Sequence, residues 1–528
     1  MKLSDYDLKQ MDDAWVEGLP ADRLRLALRQ TLNELKEARD RLNMTPENSS
    51  RPPGSMAPWE RFVPMPESPD DGVEPAAEQC KKAELRDKDD LPDSGAGPAA
   101  TSPKRGSGKP PGKPPGAQGF GRTQQLPVDD TCLHVPAQCA ACAMALPQTA
   151  AMQAWTAWDQ VDIVPLTHGQ SGLKLYCTKH ILFEIECSCG HVTRALACRA
   201  PVDERWRHTG VCEWRLSGPF LAAMIVVLAM RMRLSRARIR EFFAEFVGLS
   251  LSTGLIDNTM REAGRACEPL EEELVLDIQQ AAMLNIDETS WKEKAELLWL
   301  WTVVSASTVY FTIGHRSSEL LVNLLEDKFS GIIMSDGYRV SREWTNRLRC
   351  WAHLIRKATG LAESVDARVA KIGHQIEAHF DVLMSAIYAA RLEPPRDALI
   401  VLHDKTIVNL KQLCEQHSDD SHKKLRELAR ELLLDWHVIM RQVREPYLAL
   451  MNNAAEQSLR DWVISRLISH GTRSAEGTRA FVLLASVIET CRLRSASPWR
   501  YLATVIDAAR KAGAPPLLPK IHAFAAGV

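Results

Sequence analysis

Three patterns predict a multidomain α/β protein. Between residues 282 and 353, short apolar runs read strand, strand, strand, helix, strand, strand; residues 354–447 carry helical periodicity throughout; and the first 200 residues hold a leucine repeat and paired cysteines. Three strands in meander followed by a helical crossover imply a mixed sheet with helices on its faces. The 528 residues are room for roughly two to four domains. Hydrophobic residues at 45% exclude disorder throughout. Lys+Arg at 65 against Asp+Glu at 67 gives a net charge of -2, so any nucleic-acid contact must come from local basic patches. The opening MKLSDYDLKQ lacks the basic-then-apolar pattern of a signal peptide. The longest apolar stretch, Phe220 to Met230, is about half a membrane span, so a soluble chain is expected. An odd count of 13 Cys at irregular spacing fits a reducing cytosol with one metal site rather than a disulfide framework.

Residues 1–43 carry Leu24, Leu28, Leu32, Leu35 and Leu42, of which Leu28, Leu35 and Leu42 keep a strict seven-residue step. This predicts a coiled-coil helix whose seam meets a partner helix; the alternative is one amphipathic helix packed on its own domain. Residues 44–125 hold half of the 30 prolines and no apolar period, and read as a disordered linker. Its last part, KRGSGKPPGKPPGAQGFGR, is basic. Lys109 and Lys113, with Lys104, Arg105 and Arg122, make a cationic strand suited to follow a phosphate backbone, or merely a soluble tether.

In residues 126–200, Cys139-Ala-Ala-Cys142 and Cys187-Ser-Cys189 have the tight spacing that lets thiolate pairs meet one tetrahedral Zn²⁺. Strand-like stretches between the pairs, VDIVPL and ILFEIE, supply a sheet to bring them together. Cys132, Cys177, His180, His191 and Cys198 are possible substitutes, and a set of buried free thiols is the alternative. Residues 201–279 read as helices. Ser235 caps a segment running to Gly248, and Ser252 or Thr253 caps a second running to Arg265. Two short helices joined by GLSLS suggest a helix-turn-helix, with Arg231, Arg233, Arg236, Arg238 and Arg240 as DNA-binding cations at its entrance. A purely structural helical hairpin is the alternative.

In the strand region, Asp287 closes the first strand (MLNIDE) and Asp336 the fourth (GIIMSDG). Each has an ordinary explanation as a turn residue. Glu456 has one too, since Asn453 can cap a helix with Glu456 completing a capping box and Arg460 pairing with it. Together they change meaning. If strands one and four are neighbours, Asp287 and Asp336 emerge at one edge, and a helix laid over that edge adds Glu456. Crowded carboxylates with open positions suit Mg²⁺ or Mn²⁺, two per site at about 4 Å, the clamp for phosphoryl transfer. No Walker loop, strand-preceded GxGxxG or GxSxG elbow competes.

The chain resembles the DDE transposases of the insertion sequence 66 family. The likeness runs through the leucine helix, the GKPPGKPPGAQGFGR stretch, the cysteine pairs, NIDETSW, GHRSSE at 314–319, MSDGYRV, CWAHLIRK, NNAAEQSLR and FVLLASVIETCRLRSASPWRYL. It implies an RNase H-like catalytic core at 280–353 and 448–490, split by an all-helical insertion at 354–447 and followed by a tail segment at 491–528. By the same resemblance Asp287, Asp336 and Glu456 are the catalytic, metal-holding acids. Cys350 and His353 of CWAH, and Asn453 beside Asn452, are supporting residues. Two places depart from the family pattern: Gln457 follows the third acid in place of Arg, and Leu354-Ile355-Arg356-Lys357 follow CWAH in place of a small residue and arginines. The implied activity is hydrolysis of a phosphodiester at the ends of a mobile element, then attack of the freed 3′-hydroxyl on target DNA. The implied partners are terminal inverted repeats, target DNA, a second copy of the chain or a larger assembly, and small accessory proteins, in the nucleoid-associated cytoplasm of a bacterium and without a membrane. The competing readings are a non-catalytic DNA-binding relic and a metal-dependent nuclease that does not join strands.

Overall fold

A computed structural model describes residues 15, 18–42, 44, 126–146, 152–165, 172–196, 204–206, 211, 215–294, 296–326, 329–337 and 339–521. Lys109, Lys113, Cys198 and nearly all of the 44–125 linker lie outside them.

Helix α1 (Ala21–Leu42) bears the leucine repeat. Its seam faces outward, with Leu28 58%, Leu35 54% and Leu42 83% exposed. The opposite side docks through buried Asp40, which accepts from Ser364 Oγ at 2.6 Å and the Val365 amide at 3.1 Å. The next unit is a small sheet of β1 (Asp130–His134), β2 (Gln153–Pro165), β3 (Leu173–Glu186) and β4 (Val192–Arg194). β3 is its hub, pairing in parallel with β1 and antiparallel with β2 and β4.

Helix α2 (Pro219–Met230) is apolar on every side and is therefore buried. The predicted caps form. Ser235 accepts from the Arg238 amide to start α3 (Arg236–Phe242), which runs on through a π-turn to Gly248, and Ser252 accepts from the Leu255 amide to start α4 (Thr253–Ala266). After α5 (Glu271–Gln279) comes the second sheet: β5 (Met283–Glu293), β6 (Glu296–Val304), β7 (Val309–Gly314), α6 (Ser318–Leu325), β8 (Ile332–Ser335) and β9 (Arg347–Arg349). The strand order is β7-β6-β5-β8-β9, antiparallel from β7 to β5 and parallel from β5 to β9. This is the mixed sheet that the sequence predicts.

Helices α7 (Trp351–Ala362), α8 (Ala367–Leu392), α9 (Leu399–Leu402), α10 (Asp404–His417), α11 (Lys423–Leu434) and α12 (Trp436–Arg444) build a hydrophobic core of their own around Trp351, Leu354, Phe380 and Leu428. The chain then returns to the sheet with α13 (Asn453–Ser469) and α14 (Ala475–Leu493), and ends in α15 (Pro498–Arg510). Trp462 anchors α13, fully buried and edge-on to Phe311 at 5.7 Å and Phe481 at 5.3 Å. Truncating a buried Trp to Ala typically costs about 3–5 kcal/mol.

Three sequence expectations change. β5 does not end at Asp287. It pairs with β6 as far as Glu293, because the run ETSWKE keeps alternating partly exposed with buried residues. Residues 491–528 are not a tail: α15 is amphipathic, capped by Ser497, and buries Leu502, Val505 and Ile506 against the same core as α2. For the same reason 201–279 is not a separate body, since α2, α4 and α5 share that core with the second sheet. The buried pair Arg510–Glu262, at 2.9 Å, ties α15 to α4. No helix among the described residues is long and apolar enough to cross a membrane.

Candidate active site and cysteine centre

The register of the second sheet places the first two acids. β5 and β8 run parallel, and their last pairing is Asn285 with Met334. Asp287 stands two residues farther along β5 and Asp336 in the bend just past β8, close enough for its charge to act on Asp287. β5 continues beyond this point against β6 only, so the sheet opens between the two acids. Burial, then the charges of Asp336 and Glu288, push the Asp287 carboxyl well above the usual carboxylate range, and Glu456 adds to the effect.

Helix α13 is stitched across this opening. Asn452, fully buried, donates from Nδ2 to the Ile286 carbonyl at 2.9 Å and from its amide to Cys350 Sγ at 3.3 Å. Ser458 meets Thr302, the partner of Asp287 across the β5–β6 ladder, at 2.9 Å. Arg466 donates to Thr289 Oγ1 at 2.8 Å and Ser290 Oγ at 2.9 Å. The expected capping box is absent. Asn452 rather than Asn453 holds the cap position, without a side-chain cap bond, and Asn453 is exposed. Glu456 instead meets Arg356 Nη2 at 3.3 Å and His353 Nδ1 at 3.6 Å. The CWAH segment thus sits beside the third acid. Cys350, His353 and Glu456 offer ligand atoms within 4.8 Å of one another, whereas the three acids do not form such a group. Burial and then Arg356 lower His353 to about 4, so near neutral pH the imidazole is uncharged.

Three features are not apparent from sequence motifs. Arg349, fully buried, reaches the Asp336 carbonyl, Glu431 on α11 and Asp435 at the start of α12, the last at 3.3 Å. Gly337, at φ +95°, leaves room for that guanidinium, which a Cβ there would overlap. Glu288 is a fourth acid. Burial and then Asp336 push it up to about 7 in spite of its 2.7 Å pair with Arg316, whose guanidinium lies 4.2 Å from the Trp299 ring centre. Arg316 is the arginine of GHRSSE, which gives that motif a physical role. The only advance signal for Glu288 was its place beside Asp287; for Arg349 there was none.

The four cysteines converge as their spacing predicts. Cys139 and Cys189 sulfurs are 3.7 Å apart, Cys142 and Cys187 3.6 Å, and all four lie within 4.8 Å of one another, a group that can hold a metal ion. Each pair ends in a tight turn with positive φ, at Ala143 and Gly190. The Cys142 amide lowers the Cys139 thiol to about 6, and the Cys189 amide lowers Cys187. At Cys142 the Met144 amide acts the same way, but the three neighbouring thiols outweigh it and push the group up to about 12. Four thiols so close cannot all ionise without a cation among them.

The five arginines divide into two sets. Arg231 binds Asp461 on α13 and Glu489 on α14, the latter at 2.9 Å, and Arg233 binds Asp461 at 3.2 Å. These two, partly buried, brace α13 instead of standing free for DNA. Arg236, Arg238 and Arg240 are exposed, although each engages a local acceptor: Asp257, Glu241 and the Leu251 carbonyl.

"Uncharacterized protein y4qI" of Sinorhizobium fredii (strain NBRC 101917 / NGR234) is 21% identical over 297 residues, 49% of this chain and 53% of its own length. "Uncharacterized protein y4jO" of the same organism is 27% identical over 160 residues, 30% of this chain and 47% of its own. The chain spans about half the length of these curated relatives. The family model "Transposase IS66 family" matches residues 215–480, a span that takes in the helical pair, all three acids and the helical block between them, and this chain belongs to that family.

Proposed function

We propose that the chain is a DNA transposase that hydrolyses a phosphodiester at each end of its element and joins the freed 3′-hydroxyl to target DNA. The observation that carries this reading is the parallel β5–β8 pairing, which brings Asp287 and the bend bearing Asp336 to one edge of the sheet, near the helix bearing Glu456. The strand order β7-β6-β5-β8-β9 supports an RNase H-like core, with α7–α12 as its helical insertion. The donor set fits hard divalent cations: oxygen ligands that repel one another and raise the Asp287 carboxyl. Two Mg²⁺ or Mn²⁺ ions, when bound, would activate first water and then a 3′-hydroxyl and neutralise the departing oxygen.

The chain's own residues do the rest. Asp287 and Asp336 hold the cations at the sheet edge, and Glu456 completes the set by leaving Arg356. Arg356 is then free to meet a phosphate. His353, uncharged, stands beside Glu456, and Cys350 with Asn452 fixes the start of α13. Zn²⁺ in the four-cysteine centre shapes a module that, with α3–α4 and the basic linker, reads the element end. Two ends must be held together, so a dimer or larger assembly is natural, with the exposed leucine seam of α1 as its contact. Accessory proteins and a cytoplasmic, nucleoid-bound setting complete the picture.

Incubating purified protein with Mg²⁺, a labelled element end and target DNA tests this. Joined products are expected. Nicking without joining would make the protein a nuclease, and binding alone a relic.

A further inference from the structure

The small N-terminal sheet carries another group of soft donors, separate from the four-cysteine centre and from the acids. Cys132 and His134 lie two residues apart on β1 and share one face of it. Cys132 stands opposite His180 in the parallel β1–β3 pairing, and Trp158 stands opposite His180 in the antiparallel β2–β3 pairing. One rung thus carries Cys132, His180 and Trp158 across three strands, with His134 a step along. His134 Nε2 faces His180 Nδ1 at 2.9 Å, and the ligand atoms of Cys132, His134 and His180 all lie within 4.8 Å of one another. Trp158 stacks on His180 with ring centres 4.4 Å apart and 12° between planes, fixing that imidazole's orientation.

Two ring nitrogens pointed at each other need a proton or a cation between their lone pairs. A shared proton accounts for the rings but gives no role to the thiol beside them. Two imidazoles and a thiolate are ligands of the kinds that zinc takes, and three of them leave a fourth tetrahedral position open. Nitrogens bound at roughly 2.0–2.1 Å to one tetrahedral ion stand about 3.3 Å apart, so the present geometry needs to open by only a few tenths of an ångström. We propose that Cys132, His134 and His180 form a second metal site, which takes a borderline-soft divalent ion of the zinc type and clasps β1 to β3. The donors are too soft for Mg²⁺.

The other ring nitrogen of His180 is buried without a protein partner. Ligating histidines normally donate that proton, and losing such a partner costs roughly 10–100-fold in metal affinity. A chelator therefore removes this ion readily.

The test uses the full chain, freed of metal and titrated with Co²⁺ or Zn²⁺. Cys132→Ser and His180→Ala should each bind one ion fewer than wild type, with the four-thiolate charge-transfer bands of Co²⁺ unchanged. Equal stoichiometry in wild type and both variants overturns the proposal. A readout on the wild-type chain covers the case in which a variant unfolds. Zn²⁺ should protect His134 and His180 from acylation by diethyl pyrocarbonate, mapped by mass spectrometry, and equal modification with and without Zn²⁺ overturns the site.

Discussion

The four-cysteine centre and the carboxylate site both crowd negative charge, but they are assembled by opposite routes. The cysteines come from two tight turns at the ends of a small sheet, and backbone amides support their thiolates. The acids come from β5, the loop after β8, and a helix that begins only after six intervening helices. The Glu288 amide donates to Asp287 at 2.9 Å, yet burial and the neighbouring acids still push that carboxyl well above the usual carboxylate range. Turns can shape a metal site locally. A site on sheet edges depends on every long-range contact that fixes the register, so its failures spread farther.

The largest predicted effect separates chemistry from fold. Asp287→Asn should abolish cleavage of a labelled end while leaving end binding nearly intact. Because it removes a buried, repelled carboxylate, it should also raise the melting temperature of metal-free protein. A fall in both melting temperature and end binding would make Asp287 structural. Arg349→Ala should act in the opposite sense on stability. It takes the shared partner from Glu431 and buried Asp435, leaving them Lys357 and Arg347, and the lost stability is readable by urea unfolding. Cys187→Ser should remove the zinc-type ion and loosen only the small N-terminal sheet, seen as hydrogen exchange confined to residues 130–194.

A smaller effect follows from pH. Glu288 titrates near 7 in the fold, above the ordinary carboxylate range, and Asp287 is raised as well. Their protonation therefore favours the metal-free fold, and the Glu288 contribution is full below the ordinary carboxylate range and lost as pH rises through about 7. Mg²⁺ should reverse that slope, which thermal melts across pH with and without Mg²⁺ would reveal. The smallest change in stability is expected from Leu35→Glu on the exposed face of α1. It should leave the melting temperature alone and weaken self-association in sedimentation, if the seam is the contact between copies.

The same contrast explains what was legible in the sequence. Cys139, Cys142, Cys187 and Cys189 stand out by their pairwise spacing, with other Cys and His left open as substitutes, and Ser235 and Ser252 cap where local rules place them. Asp287 and Asp336 were readable because apolar runs ending in acids define strands whose pairing can be reasoned out. The length of β5 was not, since ETSWKE is polar enough to pass for a loop until β6 is known to pair with it. Asn452 was readable as part of the helix start but its contacts were not, since Ile286 and Cys350 lie 166 and 102 residues away. Arg231 and Arg233 misled as surface cations because only the folded chain brings Asp461 to them.

Mn²⁺ uptake by the full chain, followed by electron paramagnetic resonance, tests the central claim most directly. Wild type should take up two Mn²⁺ ions at this site, with protons released as the raised carboxyls ionise. Asp287→Asn and Glu456→Gln should each lose at least one of them. Unchanged Mn²⁺ uptake in both variants would contradict the account, because the three acids would then not share the cations.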